Sequence, residues 1–141
     1  LEHRFLDVMQ RDTEAFNAVS AVFAMPKGTD EEKTARSQAM QQALQGCTRT
    51  PFEMMELSLE ALRLTEGLVD RSNANAASDL GCAALHLGCA IQGAWLNVLI
   101  NLGSIRDVAF AAQYRTRGQI LLDEALPLSQ RIYGRVLEMV E

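Results

Sequence analysis

Apolar side chains recur at helical spacing along almost the whole chain, and the interruptions fall at proline, glycine and capping residues. Phe5, Val8, Met9, Phe16, Val19, Val22 and Phe23 mark a first helix over residues 1–24, which stops at Met25-Pro26. The pattern is already running at Leu1, so the chain reads as opening inside this helix. Thr29 with Glu32 is a capping-box signature for a second helix reaching about Gly46. Thr50-Pro51 with Glu53 is a further start signal, for a third helix carrying Met54, Met55, Leu57, Leu59, Leu62, Leu64, Leu68 and Val69. Asn73 to Asp79 opens a long fourth helix, broken at Gly103-Ser104. Ser104 with Asp107 starts a fifth, bent at Pro127. No strand alternation, P-loop, dinucleotide fingerprint or internal repeat competes. The expectation is an all-α, up-and-down helical bundle with long helices.

The fourth helix changes the picture. From Leu80 to Ile105 it carries no charge, and its apolar content is Ala, Gly and Cys as much as Leu and Ile. At 1.5 Å per residue it spans about 40 Å, enough to cross a bilayer, but its modest hydrophobicity favours burial in a bundle or dimer over a membrane. Asp79, Cys82, His86, Cys89, Gly93, Asn97 and Asn101 recur at intervals of three or four and share one stripe. Such a stripe is either a set of buried polar groups bonded to backbone and neighbouring helices or the wall of a ligand groove.

A length of 141 residues is that of a single domain, 1–141, with a core of its own. The net charge of −5 and the scattered basic residues exclude a nucleic-acid interface. Cys47, Cys82 and Cys89 lack the pairing of a disulfide framework or zinc ribbon and read as reduced thiols in a cytoplasmic protein. Three ligands along one helix point along it rather than converging, so Cys82, His86 and Cys89 make a poor metal site. The Glu-x-x-His pairs of a di-iron bundle are missing as well. Among the remaining polar residues, Asp12 and Glu14 are either a solvated helix face or a source of acid or base. Lys27, beside Pro26, is either a loop cation or an ammonium held over an anionic ligand.

Taken in order, Asp12-x-x-Ala15-Phe16, Pro26-Lys27-x-Thr29-x-Glu31-Glu32-Lys33, Asn73-x-Asn75-x-x-Ser78-Asp79, Asn97-Val-Leu-Ile-Asn101-Leu and Asp107-x-Ala109-Phe110 resemble the cyclodeaminase/cyclohydrolase family. That family comprises methenyltetrahydrofolate cyclohydrolases and the deaminase domain of formiminotransferase-cyclodeaminase. The resemblance implies an all-helical, homodimeric, cytoplasmic enzyme acting on one-carbon units of tetrahydrofolate. One branch hydrolyses the 5,10-methenyl bridge to 10-formyltetrahydrofolate; the other closes 5-formiminotetrahydrofolate to the methenyl form and releases ammonia. It implies no cofactor beyond the folate substrate, and neither nucleic acid nor membrane as partner. The family's N-terminal Pro-Thr-Pro-Gly-Gly-Gly-Ser-like loop and a later Gly-Lys-rich stretch are missing from these residues, so the domain reads as lacking that N-terminal segment.

Both reactions pass through a tetrahedral carbon between two folate nitrogens and need a proton shuttle and groups that orient the pterin. On the resemblance, Asp79 and Asp12 are the candidate carboxylates for proton transfer. Lys27 would lie by the methenyl bridge or the substrate tail, and Asn75, Ser78, Asn97 and Asn101 would bond the pterin or shape its pocket. The alternative is a non-catalytic helical dimerisation or folate-binding module.

Overall fold

The computed structural model describes the backbone of residues 1–141 and every side chain except that of Ala74. Four α-helices follow one another, α1 (Glu2–Phe23), α2 (Asp30–Val69), α3 (Ala77–Leu102) and α4 (Val108–Val140), with a single 3₁₀ turn (Ala74–Ala76) ahead of α3 and no strand among the described residues. The two helices expected over residues 29–46 and 50–69 are one continuous helix of 40 residues, about 60 Å long.

Pro51 lies inside that helix rather than at its start. Proline has no N–H to offer the carbonyl four residues earlier, that of Cys47, and an orphan of this kind normally ends a helix. Here the Nδ2 of Asn101 in α3 donates to that carbonyl at 2.9 Å. A tertiary contact thus replaces the local bond, and the helix runs on. The box at Thr29 forms as expected: Glu32 N donates to Thr29 Oγ1 (3.2 Å), while Gly28 N and Thr29 N donate to Glu32 Oε2 (2.7 and 3.1 Å). The other starts differ from expectation. Asp107, not Ser104, caps α4 by accepting from Phe110 N at 2.9 Å. Asn73 accepts from Asn75 N, and α3 begins after the 3₁₀ turn with no side-chain cap.

Residue pairing gives the topology. Arg4 with Glu60 and Arg11 with Glu53 run antiparallel between α1 and α2. Glu56 with Arg117, Arg63 with Glu124, Glu66 with Arg131 and Asp70 with Arg135 advance together, so α2 and α4 are parallel. These pairs are largely exposed, each worth about 0–1 kcal/mol, and they fix register more than stability. Helix α3 is antiparallel to both, which makes an up-down-up-down bundle. α2 is the common element, packed against α1, α3 and α4.

The core lies among α2, α3 and α4, with Met55, Leu62, Ile91, Val98, Leu128 and Ile132 almost wholly buried. Burial of each contributes about 1.5–3 kcal/mol. The core face of α3 is Ala77, Gly81, Ala84, Gly88, Ile91, Ala94, Val98 and Leu102, mostly small residues that let α4 come close. A Cβ at Gly81 would lie 3.0 Å from Val136 Cγ1, and one at Gly88 would lie 2.8 Å from Ser129 Oγ. Ser129 itself donates to the Ala84 carbonyl at 2.8 Å. The polar stripe therefore faces outward. Asp79, Cys82, His86, Cys89, Gly93 and Asn97 are exposed, and the burial expected for this helix reaches only its opposite face. It remains, among the described residues, the one helix long and apolar enough to cross a membrane, with 28% of its most apolar window buried.

Two outcomes test this packing. A Cβ at Gly118 would fall 2.1 Å from Cζ3 of Trp95, so Gly118→Ala forces the indole to move and lowers unfolding free energy by about 1–3 kcal/mol in urea titrations followed by Trp fluorescence. Asn101→Ala leaves the Cys47 carbonyl without its donor and costs about 1–3 kcal/mol. In a Pro51→Ala background, which restores the helical N–H, the same change costs markedly less. Equal costs in both backgrounds would refute the compensation.

Candidate functional site

Where α1 crosses the middle of α2 and the C-terminal half of α3, a groove of about 690 Å³ opens to solvent. The helical repeat of α1 sets Met9, Asp12, Thr13 and Phe16 on the face that lines it. α2 contributes Cys47, Thr50, Pro51 and Met54 as its floor, and α3 contributes Gly93, Asn97, Ile100 and Asn101 as the far wall. Val8 and Val22 are the buried anchors of α1, while Phe16 is 67% and Ile100 74% exposed. These large apolar side chains form the rim.

The polar groups of the groove are held in place. The Thr50 hydroxyl donates to Asp12 Oδ1 at 2.7 Å, which leaves Oδ2 without a donor among the described residues. Asn101 Nδ2 is shared between the carbonyls of Cys47 and Asn97, both at 2.9 Å, and Asn97 Nδ2 donates to the Gly93 carbonyl at 3.1 Å. Both N–H groups of the Asn101 amide and one of Asn97 are committed to backbone, and both amides offer Oδ1 as an acceptor. Burial pushes the Cys47 thiol pKa up, and the negative charge of Asp12 adds to the effect, so this sulfur stays protonated and is a poor nucleophile. Such a groove suits a flat ligand that donates hydrogen bonds at its edge and exchanges a proton near Asp12.

Three of the seven residues singled out in the sequence, Asp12, Asn97 and Asn101, thus meet in one place. Asp79 stands eighteen residues before Asn97 on α3, about 27 Å away along the helix, with Ser78 and Asn75 beside it at the exposed start of that helix. Lys27 lies in the loop after α1 and lines a separate pocket. No cluster of three or more His, Cys, Asp or Glu side chains fit to hold a metal occurs among the described residues. His86 bonds through Nδ1 to the Cys82 carbonyl on the exposed face of α3.

Sequence reasoning missed Thr50 and Cys47. Thr50 read as a helix cap, yet its hydroxyl orients Asp12. The signal for Cys47 was Pro51 itself, because a proline continued inside a helix leaves the carbonyl four residues back without its helical donor.

Residues 1–119 match the family model described as formiminotransferase-cyclodeaminase. The chain is 38% identical to the methenyltetrahydrofolate cyclohydrolase of Methylorubrum extorquens over 129 residues, 92% of this chain and 62% of that protein. It is 34% identical to the formimidoyltransferase-cyclodeaminase of Sus scrofa over 133 residues, 94% of this chain and 25% of that protein. The crystal structure of formiminotetrahydrofolate cyclodeaminase from Thermotoga maritima superposes with a TM-score of 0.67 at 28% identity, covering 94% of this chain and 60% of that one. The chain therefore spans about three-fifths of the bacterial cyclohydrolase and a quarter of the pig enzyme. With one family model covering it from residue 1 to residue 119 of 141, the chain belongs to the formiminotransferase-cyclodeaminase family.

Proposed function

We propose that this domain catalyses a folate one-carbon reaction, hydrolysis of 5,10-methenyltetrahydrofolate to 10-formyltetrahydrofolate, cyclisation of 5-formiminotetrahydrofolate with release of ammonia, or both. The observation that carries this is Asp12, pinned by Thr50 at the floor of a groove whose far wall presents two amide oxygens. The pyrimidinone ring of a reduced pterin is flat and bears ring N–H and amino donors, which match the Oδ1 acceptors of Asn97 and Asn101. Met9, Phe16 and Met54 supply the apolar surface on which such a ring would lie.

In the hydrolytic direction, water adds to the methenyl carbon as Asp12 takes its proton. The tetrahedral carbon then collapses by breaking its bond to N5, which regains a proton, and the formyl group stays on N10. In the cyclising direction, N10 attacks the formimino carbon and its proton passes, by way of the same carboxylate, to the formimino nitrogen; a second proton taken up from solvent and delivered by that carboxyl group makes this nitrogen ammonia as its bond to carbon breaks, leaving the methenyl bridge. One positioned acid–base group serves both because both share the tetrahedral carbon.

Asp79 is the second candidate for proton transfer, and a partner copy would bring it to the groove. Asp79 precedes Gly88 by nine residues and Asn97 follows it by nine; Asn75 and Asn101 stand thirteen residues to either side. A copy packed antiparallel on the exposed face of α3, whose one acidic residue is Asp79, about the level of this midpoint would set its Asp79 and Ser78 opposite Asn97, and its Asn75 opposite Asn101. We infer a homodimer on this ground and on the exposure of Phe16, Phe23, Leu96 and Ile100, between 66 and 74%. Three unpaired thiols fit a reducing compartment, the cytoplasm.

The test is the decay of methenyltetrahydrofolate absorbance at a pH where spontaneous hydrolysis is slow. The protein accelerates the decay, and Asp12→Asn lowers kcat by about 10²-fold or more with KM little changed. Full turnover in Asp12→Asn would remove the carboxylate from the mechanism. Folate binding without turnover on either substrate would favour the non-catalytic module. Sedimentation equilibrium gives twice the 15.5 kDa chain mass for the dimer.

A further inference from the structure

The stripe of α3 that faces away from the core carries chemistry the groove does not use. Cys82, His86 and Cys89 are exposed on it, among leucine, alanine and glycine, and no charged residue lies between Asp79 and Arg106.

His86-Leu-Gly-Cys89 sets an imidazole and a thiol three residues apart on neighbouring turns, with Cβ atoms about 5–6 Å from each other. That is the offset at which the Glu-x-x-His pairs of helical bundles hold a metal, here with softer ligands. The imidazole is oriented as well. Its Nδ1 lies 2.8 Å from the Cys82 carbonyl, which can only accept, so Nδ1 carries the proton and Nε2 the lone pair. Nε2 has no hydrogen-bond partner among the described residues. A histidine that binds metal through one nitrogen commonly gives its other N–H to a carbonyl in this way.

One chain supplies only this pair, too few for a closed site. A second copy supplies the rest. The antiparallel pairing inferred above turns about the level of Gly88, whose own Cα faces Ser129 in the core and leaves the stripe on the far side. His86 stands two residues before that level and Cys89 one after it, about 3 and 1.5 Å along the axis. The partner's His86 and the partner's Cys89 take the mirrored heights, so two imidazoles and two thiols fall within about 6 Å along the seam. The convergence denied to three ligands on a single helix comes from two helices. Closing this face also takes the Nε2 lone pair out of water, where it must find a partner.

We propose that His86 and Cys89, with the partner's His86 and the partner's Cys89, bind one zinc ion on the two-fold axis of the dimer, in a tetrahedral site of two sulfurs and two nitrogens that locks the two copies together. This rests on the antiparallel dimer inferred above. Zinc accepts thiolate at about 2.3 Å and imidazole at about 2.0 Å in that geometry. Each thiol gives its proton to solvent as its sulfur bonds the metal, so one Zn²⁺ displaces two protons and the completed site is neutral. A neutral site suits an interface that carries no other charge near its centre.

The test titrates cobalt(II), a spectroscopic substitute for zinc, into the reduced, metal-free protein, with zinc-driven proton release and sedimentation equilibrium alongside. One metal binds per two chains, with the visible bands of tetrahedral cobalt and sulfur-to-cobalt charge transfer. Zinc releases two protons per ion and tightens the dimer by about tenfold or more. Cys89→Ser and His86→Gln, both at positions exposed in the single chain, keep the helical circular dichroism and abolish the cobalt spectrum. Cys82→Ser, about 9 Å from the level of the axis, keeps the spectrum. A dimer that forms without metal and binds neither cobalt nor zinc overturns the site and leaves the dimer standing. One metal per chain, a spectrum that survives either ligand variant, or one lost in Cys82→Ser overturns the ligand set. A chain that stays monomeric with and without zinc removes the dimer and the site together.

Discussion

The bond from Asn101 to the carbonyl of Cys47 is the contact on which the rest of the molecule depends. Pro51 removes the donor that this carbonyl would have had, and the Asn101 amide supplies another where α2 runs on through the proline. Because α3 supplies the donor, one helix carries the groove floor, the second pocket and the long seam with α4. The bond also sets where α3 sits. Asn101 can reach Cys47 only in one register, which places Asn97 and Ile100 across from Asp12 and Phe16. A backbone defect in one helix has become the pin that aligns two others, and the candidate site is built round that pin.

The second constraint is size. α4 approaches α3 closely enough that Gly81, Gly88 and Gly118 have no room for a methyl group. The buried face of α3 is consequently its small-residue face, and its larger side chains, Leu85, Leu96 and Ile100, point away from the core. Ile91, Val98 and Leu102 are the bulky residues of that face, and the rest of it is alanine and glycine. That division also explains why so apolar a helix can be about half solvent-facing in the single chain. Exposed apolar side chains occur on all four helices, and three of them, Met9, Phe16 and Ile100, line the groove.

Much of the architecture was legible because periodicity and capping are local. The ends of α1, the box at Thr29 and the break at Gly103 all follow from residues within a turn of the boundary. What could not be read was non-local. Thr50-Pro51 has the local form of a helix start, and only a side chain fifty residues later turns it into helix interior. The stripe from Asp79 to Asn101 is correct as a stripe, but periodicity does not say which side of a helix faces in, and apolar content favoured the wrong one because Ala and Gly were doing the packing. Asp12, Asn97 and Asn101 line one groove. Asp79, Asn75, Ser78 and Lys27 were grouped with them on the family resemblance, and the helix rise puts them elsewhere in the single chain.

The unbroken run of α2 through Pro51 has one more consequence. Cys47 and Thr50 at the groove stand on the same rod as Lys33, Arg36 and Gln41 at the basic pocket, so the two recesses cannot slide or hinge independently. Had the proline broken the helix, a joint would lie between them and each could adapt to its own guest. With the rod intact, the distance between the two recesses is set by the rise of one helix.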